Sequence, residues 1–361
     1  MIEIQTVAQT VITVVFGAII LALVGLFLGL IYKGIDRKIS AHMQGRIGPP
    51  IVQPFRDIRK LFIKENIIPE NAIPWVFNLA PIIGLIGAIS IMFYIPLIPQ
   101  IDGVGLAPLI PYGGDLILIL YLLMIPSLAM VVGGFASGSP YATVGAQREM
   151  TTMIAYEFPL AIIIITIAWR ISNTLIDNST GLITNNGFSM SIIASTPIWN
   201  IVGPLGFFGC IILLLVLLIV TPAELSKIPF DSPEAETEIA GGLLTEYSGR
   251  NLGIFYLTDA VKTLVMGTII VAIFFPFNLS PLLNITGYPG IIIDIIFFLI
   301  KLFLVILFSV SLIRVAVARL KIDQIVYTYW IPLTLLSLVG LILIMWDGQF
   351  GLPTISSLLG I

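Results

Sequence analysis

Residues 202–220 read VGPLGFFGCIILLLVLLIV, an apolar run without a charged side chain. A helix needs about 20 such residues to cross the hydrocarbon core of a bilayer. Seven further runs have the same character and lie near residues 10–32, 75–95, 113–133, 151–169, 252–275, 291–313 and 325–346. Because unpaired backbone groups are costly in lipid, these runs predict helices rather than open strands. We therefore expect an all-α polytopic membrane protein with eight transmembrane helices in a single integral membrane domain, residues 1–361.

The composition excludes other classes of protein. Apolar residues make up 58% of the chain and charged residues only 10%, whereas a soluble domain carries roughly 25% charged residues. A soluble enzyme, a disordered chain and a nucleic-acid binder are therefore excluded. Cys210 and His42 are the only cysteine and histidine in the sequence, so neither a disulfide framework nor a histidine-rich metal site can form. We expect no catalytic residue, metal ligand or cofactor in this chain.

Lysine and arginine are unevenly distributed between the predicted loops. Of the 17 basic residues, 14 lie in the segments 33–74, 134–150, 221–251 and 314–324. Cytoplasmic loops carry an excess of basic residues, so these segments are predicted to face the cytoplasm and both termini to lie outside. The start of the chain has no basic residue before the first apolar run, which is not typical of a cleavable signal peptide.

The segment from Gln53 to Glu65 predicts an amphipathic helix in the first cytoplasmic loop. Its two faces are apolar and basic, formed respectively by Phe55, Ile58, Leu61 and Phe62 and by Arg56, Arg59, Lys60 and Lys64. Such a helix lies in the membrane interface. The preceding Gly45-Arg-Ile-Gly-Pro-Pro50 predicts a rigid turn that holds Arg46. The pattern fits either an anchor on anionic lipid or a platform for a soluble partner.

The stretch from Ala223 to Arg250 is rich in acidic residues. Ser232 is a suitable N-cap and Gly249 a suitable C-terminal residue, which predicts a helix between them. The acids of this region are Glu224, Asp231, Glu234, Glu236, Glu238 and Glu246, followed by Asp259. Crowding and burial raise the pKa of such carboxyl groups, which would let them carry protons near neutral pH. A proton relay and a solvated acidic loop both remain open.

Charged residues also lie within the predicted spans. Glu157 follows Glu149 by eight residues on a similar helix face, and Asp259 and Lys262 are close enough along a helix to pair. Charges at this depth are costly and mark functional candidates. For Glu157 and Asp259 we favour a proton path. A second possible pair, Asp294 and Lys301, is seven residues apart, and for it we favour a salt bridge that fixes helix packing.

Three stretches carry a family resemblance. They are Arg46-Ile-Gly-Pro49 with Gln53-Pro-Phe-x-Asp-x-x-Lys-Leu-x-x-Lys-Glu65; Ile154-Ala-Tyr-Glu-Phe-Pro159; and Ala223-Glu through Pro229-Phe-Asp-x-Pro-Glu-Ala-Glu-x-Glu238 to Glu246-Tyr-Ser-Gly249. With the order of the spans, they resemble the eight-helix membrane subunit that joins the peripheral and membrane arms of respiratory complex I. The same subunit family occurs in energy-converting membrane-bound nickel–iron hydrogenases.

The resemblance implies roles for many of these residues. In the family, the matching acids form a buried channel from the redox-linked cavity toward antiporter-like subunits. The implied proton pathway is Glu157, Glu224, Asp231, Glu234, Glu236, Glu238 and Glu246, to which Asp259 and Lys262 are added from the sixth span. Segments 33–74 and 221–251 are expected to dock the peripheral redox module. The expected docking residues are Arg46, Gly48, Pro49, Gln53, Asp57, Lys60, Lys64, Glu65, Lys227, Pro229 and Phe230.

Two departures from the quinone-using members resemble the hydrogenase branch. Only three residues separate Pro49 from Gln53, where quinone-using members have a longer segment. The sixth span carries Thr258-Asp259-Ala260 followed by Lys262, where quinone-using members tend to have Ala-Glu-Tyr followed by a neutral residue. Both features argue against quinone binding.

The resemblance implies a multi-pass subunit of an oxidoreductase complex in a prokaryotic cell membrane. We expect it to be a non-redox anchor and proton relay of a ferredoxin-linked, ion-translocating hydrogenase. Its partners would be hydrogenase-like large and small subunits, which carry iron–sulfur clusters and a nickel–iron centre, and antiporter-like membrane subunits. A sulfur-reducing relative, a quinone-reducing complex I and, more remotely, a stand-alone secondary transporter remain alternatives.

Overall fold

The computed structural model describes residues 2–96, 98–101, 104–106, 115–174, 187–285, 287–350 and 353. Within these ranges, eight helical spans are long and apolar enough to cross a membrane, as predicted. Six are single helices: α1 (Ile2–Met43), α3 (Pro74–Met92), α4 (Leu116–Ala136), α5 (Pro140–Thr174), α8 (Pro204–Glu224) and α10 (Gly249–Phe274). The other two contain a π-helical turn each, as α11 (Tyr288–Ile306), Leu307–Ser311 and α12 (Leu312–Ala316), and as α13 (Ile322–Thr328), Tyr329–Leu333 and α14 (Thr334–Phe350).

Shorter elements connect the spans. The predicted amphipathic helix is α2 (Gln53–Ile63), and α6 (Met190–Ser195) and α7 (Ile198–Ile201) precede α8. Two short strands, β1 (Ile98–Ile101) and β2 (Val104–Leu106), pair antiparallel after α3, which the sequence analysis did not predict. The predicted outer face falls largely outside the described residues, because 107–114, 175–186 and 354–361 belong to it.

Two spans extend well beyond their predicted limits. Helix α1 continues to Met43, so Lys33, Arg37 and Lys38 lie on a helix rather than in a loop. Helix α5 begins at Pro140 rather than near 151. Hydropathy marks only the apolar part of a helix, whereas packing can prolong the helix through polar sequence. In α5 the added turns bury Ala142, Ala146 and Glu149.

The helix predicted from Ser232 to Gly249 is wrong. The chain forms a 3-10 turn at Ser232–Glu234, the short helix α9 (Glu236–Ile239) and a second 3-10 turn at Gly242–Leu244, and Gly249 begins α10 instead of ending a helix. Ala240, Gly241 and Gly242 have positive φ angles, which break any continuous helix. A Cβ on Gly242 would overlap the carbonyl oxygen of Pro233, so the segment folds back on itself.

Helix α10 is the central element of the fold. It packs against α1, α3, α2 and α11, and almost all of its residues are buried. Two of its three charged side chains, Asp259 and Lys262, form ion pairs with other elements and therefore point into protein rather than lipid. The fold thus places charges at the centre of the bundle, where they need partners from other elements.

Candidate functional site

A cavity of about 180 Å³ lies beside α10 at the end of the bundle that carries the 225–248 segment. Side chains from α1, α4, α8, α10, α12 and this segment line it. The charged members of the lining are Lys33, Asp36, Arg37, Glu224, Lys227, Glu234, Asp259, Lys262 and Arg314. Four acids and five bases therefore share one enclosed space.

Asp259 is held by two lysines. The Nζ of Lys227 lies 2.8 Å from Oδ1 and 2.6 Å from Oδ2 of Asp259, and the Nζ of Lys33 lies 2.6 Å from the same Oδ2. Lys33 also donates to the carbonyl oxygen of Tyr256 at 3.4 Å. Since ammonium groups occupy both carboxylate oxygens, Asp259 is a fixed counter-ion of these lysines rather than a free proton acceptor.

Lys262 does not pair with Asp259, contrary to the expectation from their spacing. Its Nζ lies 2.8 Å from Oε1 of Glu224 and 2.7 Å from the hydroxyl of Ser127. The side chains of Lys262 and Glu224 are 3% and 2% exposed, so this is a buried ion pair. Side chains three residues apart on a helix are neighbours, but here each finds a closer partner on another element.

Further polar groups lie around this ion pair. Glu157 interacts electrostatically with Glu224 and Lys262, and Glu149 interacts with Lys262, Glu234 and Glu224. The hydroxyl of Ser226 lies 3.4 Å from Oε2 of Glu149. Among the described residues, Oε1 of Glu149 and Oε1 of Glu157 have no hydrogen-bond partner. Buried polar groups rarely remain unpaired, so these two oxygens have room for a further hydrogen-bond donor.

Glu234 and Lys227 lie in the segment outside the spans. Burial raises the pKa of Glu234 from its ordinary 4.5 to about 7; Lys227 and Lys33 oppose this rise, while Asp259 and Asp231 add to it. Burial alone would lower the pKa of Lys227, but its contacts with Asp259 outweigh burial and raise it. Glu234 therefore changes its charge near neutral pH, whereas Lys227 stays protonated.

Of the remaining acids of the implied pathway, Asp231 is buried and the others are exposed or half-buried. Asp231 forms an ion pair with Arg319 at 2.5 Å, and Glu238 forms one with Arg148 at 2.5 Å. Glu236 and Glu238 are exposed, and Glu246 is half-buried. Glu236 and Glu238 therefore lie on the surface of this chain, and their part in the implied pathway stays a prediction. The structure brings Glu157, Glu224, Glu234, Asp259 and Lys262 together in the interior.

The predicted salt bridge between Asp294 and Lys301 is also wrong. Asp294 accepts hydrogen bonds from the backbone N–H groups of Leu279 and Ser280 and from the Ser280 hydroxyl. Lys301 donates to the carbonyl oxygens of Phe275 and Phe277. Each charge stabilises the chain turn after α10 separately, so both serve helix packing as expected, but not as a pair.

The predicted docking residues divide into three groups. Arg46, Lys60, Lys64 and Glu65 are exposed, and Gly48 and Pro49 are half-buried in the turn. Gln53 and Arg37 both donate to Asp57, at 2.8 and 2.9 Å, which ties α2 to α1. Lys227 lies in the cavity, Pro229 is buried, and Phe230 packs on Tyr329 with ring centroids 5.1 Å apart. The last three side chains are largely covered within this chain, and their docking role stays a prediction.

Several interior polar residues were not predicted from the sequence. Lys33 was expected in a loop, and Ser127 and Tyr156 were not distinguished from the apolar residues of their spans. Glu149 is noted only by its spacing from Glu157. Asp36, which is bound by Ser311 at 2.6 Å and Arg314 at 3.2 Å, is not considered. The usable signal is a charged residue on the inner face of an extended helix, as for Asp36 and Lys33 on α1.

The eight spans and the interior acids and lysines indicate the class of protein to which the chain belongs. The chain is a membrane subunit of an oxidoreductase complex of the complex I type, and comparison with known proteins identifies its family. Residues 16–345 match the family described as NADH dehydrogenase, and the chain belongs to this family.

Relatives and a solved structure agree with this assignment. The chain is 33% identical over 337 residues to the H subunit of NADH-quinone oxidoreductase from Syntrophotalea carbinolica, covering 87% of this chain and 90% of that protein. It is also 33% identical to the H subunit of the same enzyme from Bacillus cereus, covering 76% of this chain and 78% of that one. It resembles a chain in the structure of membrane-bound sulfane sulfur reductase, an archaeal respiratory membrane complex, with a TM-score of 0.74 and 28% identity over 92% of this chain and 99% of that one.

Proposed function

We propose that this chain is a non-redox membrane anchor and proton relay in a ferredoxin-linked, ion-translocating complex. The observation that carries the proposal is the buried group of Lys262, Glu224 and Ser127 with Glu149 and Glu157 beside it. Burying several ionisable groups in a membrane domain is costly, so such groups mark ion pathways. A purely structural anchor would not need carboxyl groups with unpaired buried oxygens.

In the proposed relay, the cavity receives the signal from electron transfer. A soluble redox module would dock on the loops at the cavity end, which we take as the cytoplasmic side. A change in its charge would alter the protonation of Glu234, whose pKa is already near neutral. The fixed set of Lys33, Asp259 and Lys227 would transmit this change to Lys262 and Glu224. Glu149 and Glu157 would then pass the proton or charge to antiporter-like neighbours.

The redox centres would belong to partner subunits. Among the described residues, no group of three or more histidine, cysteine, aspartate or glutamate side chains is placed to hold a metal ion. Hydrogenase-like large and small subunits would carry the iron–sulfur clusters and a nickel–iron centre. The antiporter-like subunits would move protons or sodium ions.

Two other terminal electron acceptors have specific support. The likeness to a chain of the sulfane sulfur reductase favours a sulfur-reducing complex. The names of the relatives, which are subunits of NADH-quinone oxidoreductases, favour a quinone-reducing one. The short turn before α2 argues against quinone, because only three residues separate Pro49 from Gln53. A stand-alone transporter remains the remote alternative.

The first test is elemental analysis of the detergent-solubilised complex purified through a tag on this chain. Nickel together with excess iron supports the hydrogenase, and ferredoxin-driven hydrogen evolution would follow as the activity assay. Iron without nickel favours a sulfur reductase or a quinone reductase. These two are distinguished by testing which substrate, a sulfur compound or a quinone, supports oxidation of reduced ferredoxin. A chain that purifies alone and without metal contradicts the proposed function.

A further inference from the structure

The turn between α1 and α2 presents one charged and one apolar side chain at a fixed tip. Arg46 N–H donates to the carbonyl oxygen of Ala41 at 2.8 Å, and Gly45 N–H donates to that of His42 at 3.0 Å. Gly45 and Gly48 have positive φ angles on either side of the tip. The side chain of Ile47 is 88% exposed, and the guanidinium of Arg46 is held by the side chain of Gln44. A backbone this constrained loses little entropy on binding a partner.

A basic pocket lies directly beside the tip. It encloses about 480 Å³, within the usual size range of ligand pockets, and its charged lining residues are Arg37, Arg46 and Arg314. No acidic side chain lines this pocket in the described part of the chain. Arg37 and Arg314 are each oriented by a carboxylate behind the pocket wall, Asp57 and Asp36 respectively. Arg46 has no such counter-charge among the described ion pairs.

The distance of the tip from the membrane interface bears on whether it contacts a soluble partner or lipid. The turn runs back along α1, because Ile51 contacts Gly34 just before α2 begins. Helix α2, the interfacial helix, therefore starts at the level of Gly34, nine residues below the end of α1 at Met43. Nine helical residues span about 14 Å, whereas the headgroup layer extends only about 5–8 Å beyond the hydrocarbon core. With α2 in the membrane interface, as its amphipathic sequence predicts, the tip would stand above the lipid headgroups.

From this geometry we infer that the tip and the basic pocket bind an acidic protein segment of the soluble module. One or two carboxylates of the segment enter the pocket between Arg46, Arg37 and Arg314, and an apolar surface beside them covers Ile47. Arginine is one of the residue types enriched in interface hot spots. This inference rests on the proposed docking role and adds the chemistry of the partner and the place where it binds.

The test combines site-specific crosslinking with charge reversal in the intact complex. A photo-crosslinking amino acid replaces Ile47, and mass spectrometry identifies the crosslinked peptide. In parallel, salt washes of membranes measure how much soluble module remains bound to Arg46→Glu. Lys321→Glu is the matched control, because Lys321 is an exposed basic residue outside both expected docking segments and away from the pocket. We expect a crosslink to an aspartate- or glutamate-rich peptide and a roughly tenfold loss of bound module for Arg46→Glu only.

The outcomes separate this inference from the proposed function. The inference is overturned by a crosslink only to lipid, by a crosslinked peptide without acidic residues, or by equal release of the module from both variants. The proposed function still stands in these cases if the wild-type chain retains the soluble module. A wild-type chain that retains no soluble module overturns the proposed function itself. Replacing the crosslinked acid of the partner with lysine restores binding to Arg46→Glu if the contact is direct.

Discussion

The ammonium nitrogen of Lys262 lies 2.8 Å from Oε1 of Glu224, and both side chains are almost fully buried where α10 meets the end of α8. The hydroxyl of Ser127 on α4 completes the contact at 2.7 Å. Three spans therefore meet at one buried charge pair. Such a pair contributes little net stability, but either charge left alone is costly.

The first prediction concerns this pair. Lys262→Met should destabilise the protein by about 3–5 kcal/mol, because it leaves the buried carboxylate of Glu224 without its partner. The double variant Lys262→Met with Glu224→Gln should recover most of that loss, because neither buried charge remains. Thermal unfolding of the purified complex measures both effects. Lys321→Met, at an exposed lysine, serves as the control. A double variant as unstable as the single one would show that the two charges do not stabilise each other.

The second prediction compares the groups around Asp259. Asp259→Asn should cost more stability than Lys33→Met, because the first leaves two lysines unpaired in the cavity and the second leaves Lys227 in contact with both carboxylate oxygens. We expect a loss of about 3–5 kcal/mol for the aspartate and about 1–3 kcal/mol for the lysine. Melting temperatures of the two variants in the same detergent decide the order. The reverse order would contradict the two-lysine arrangement.

The third prediction is a pH dependence. The pKa of Glu234 is raised to about 7, so the folded chain holds a proton that the unfolded chain releases near its ordinary value of 4.5. The stabilising contribution is therefore fully present below about pH 4.5 and is lost as the pH rises through about 7. Wild-type protein should lose more thermal stability between pH 6 and pH 8 than Glu234→Gln does. Parallel pH curves for the two proteins would argue that Glu234 is ionised throughout.

The fourth prediction tests the position of the α1–α2 turn. A Cβ on Gly34 would overlap the backbone carbonyl of Ile51, so Gly34→Ala should displace the turn and weaken retention of the soluble module in salt washes. Gly25→Ala is the matched control on the same helix, because its Cβ would meet only the flexible end of Met92. Equal retention by both variants would mean that the position of the turn does not matter for docking.

The fold was largely predictable because it follows from the number and length of the apolar runs in the sequence. Eight apolar runs predicted eight spans, and the amphipathic pattern after Gln53 predicted α2. The broken segment before α10 was not predictable from helix signals. Ser232 and Gly249 are good helix-end residues, but Gly242 lies so close to Pro233 that only a reversal of the chain fits. Local preference was overridden by tertiary packing there.

The partners of the interior charged residues could not be predicted from the sequence. Spacing along one helix suggested that Asp259 pairs with Lys262, yet Asp259 pairs with Lys33, which is 226 residues away in sequence. Nothing in the sequence around Lys33 indicates that partner, because long-range contacts depend on how the helices pack. The resemblance grouped seven acids into one pathway, and two residues of the sixth span were added to them. Of these nine residues, Glu224, Glu234, Asp259 and Lys262 line the cavity.

We propose that the interior acids couple electron transfer to ion movement. The most direct test is the number of ions taken up per electron by inverted membrane vesicles that contain Glu157→Gln or Glu224→Gln complexes. Glu70→Gln, at an exposed acid outside the cavity, is the control. We predict that electron transfer continues in all three variants. The ion-to-electron ratio should fall at least severalfold in Glu157→Gln and Glu224→Gln and stay at the wild-type value in Glu70→Gln. A wild-type ratio in both interior variants would contradict this proposal.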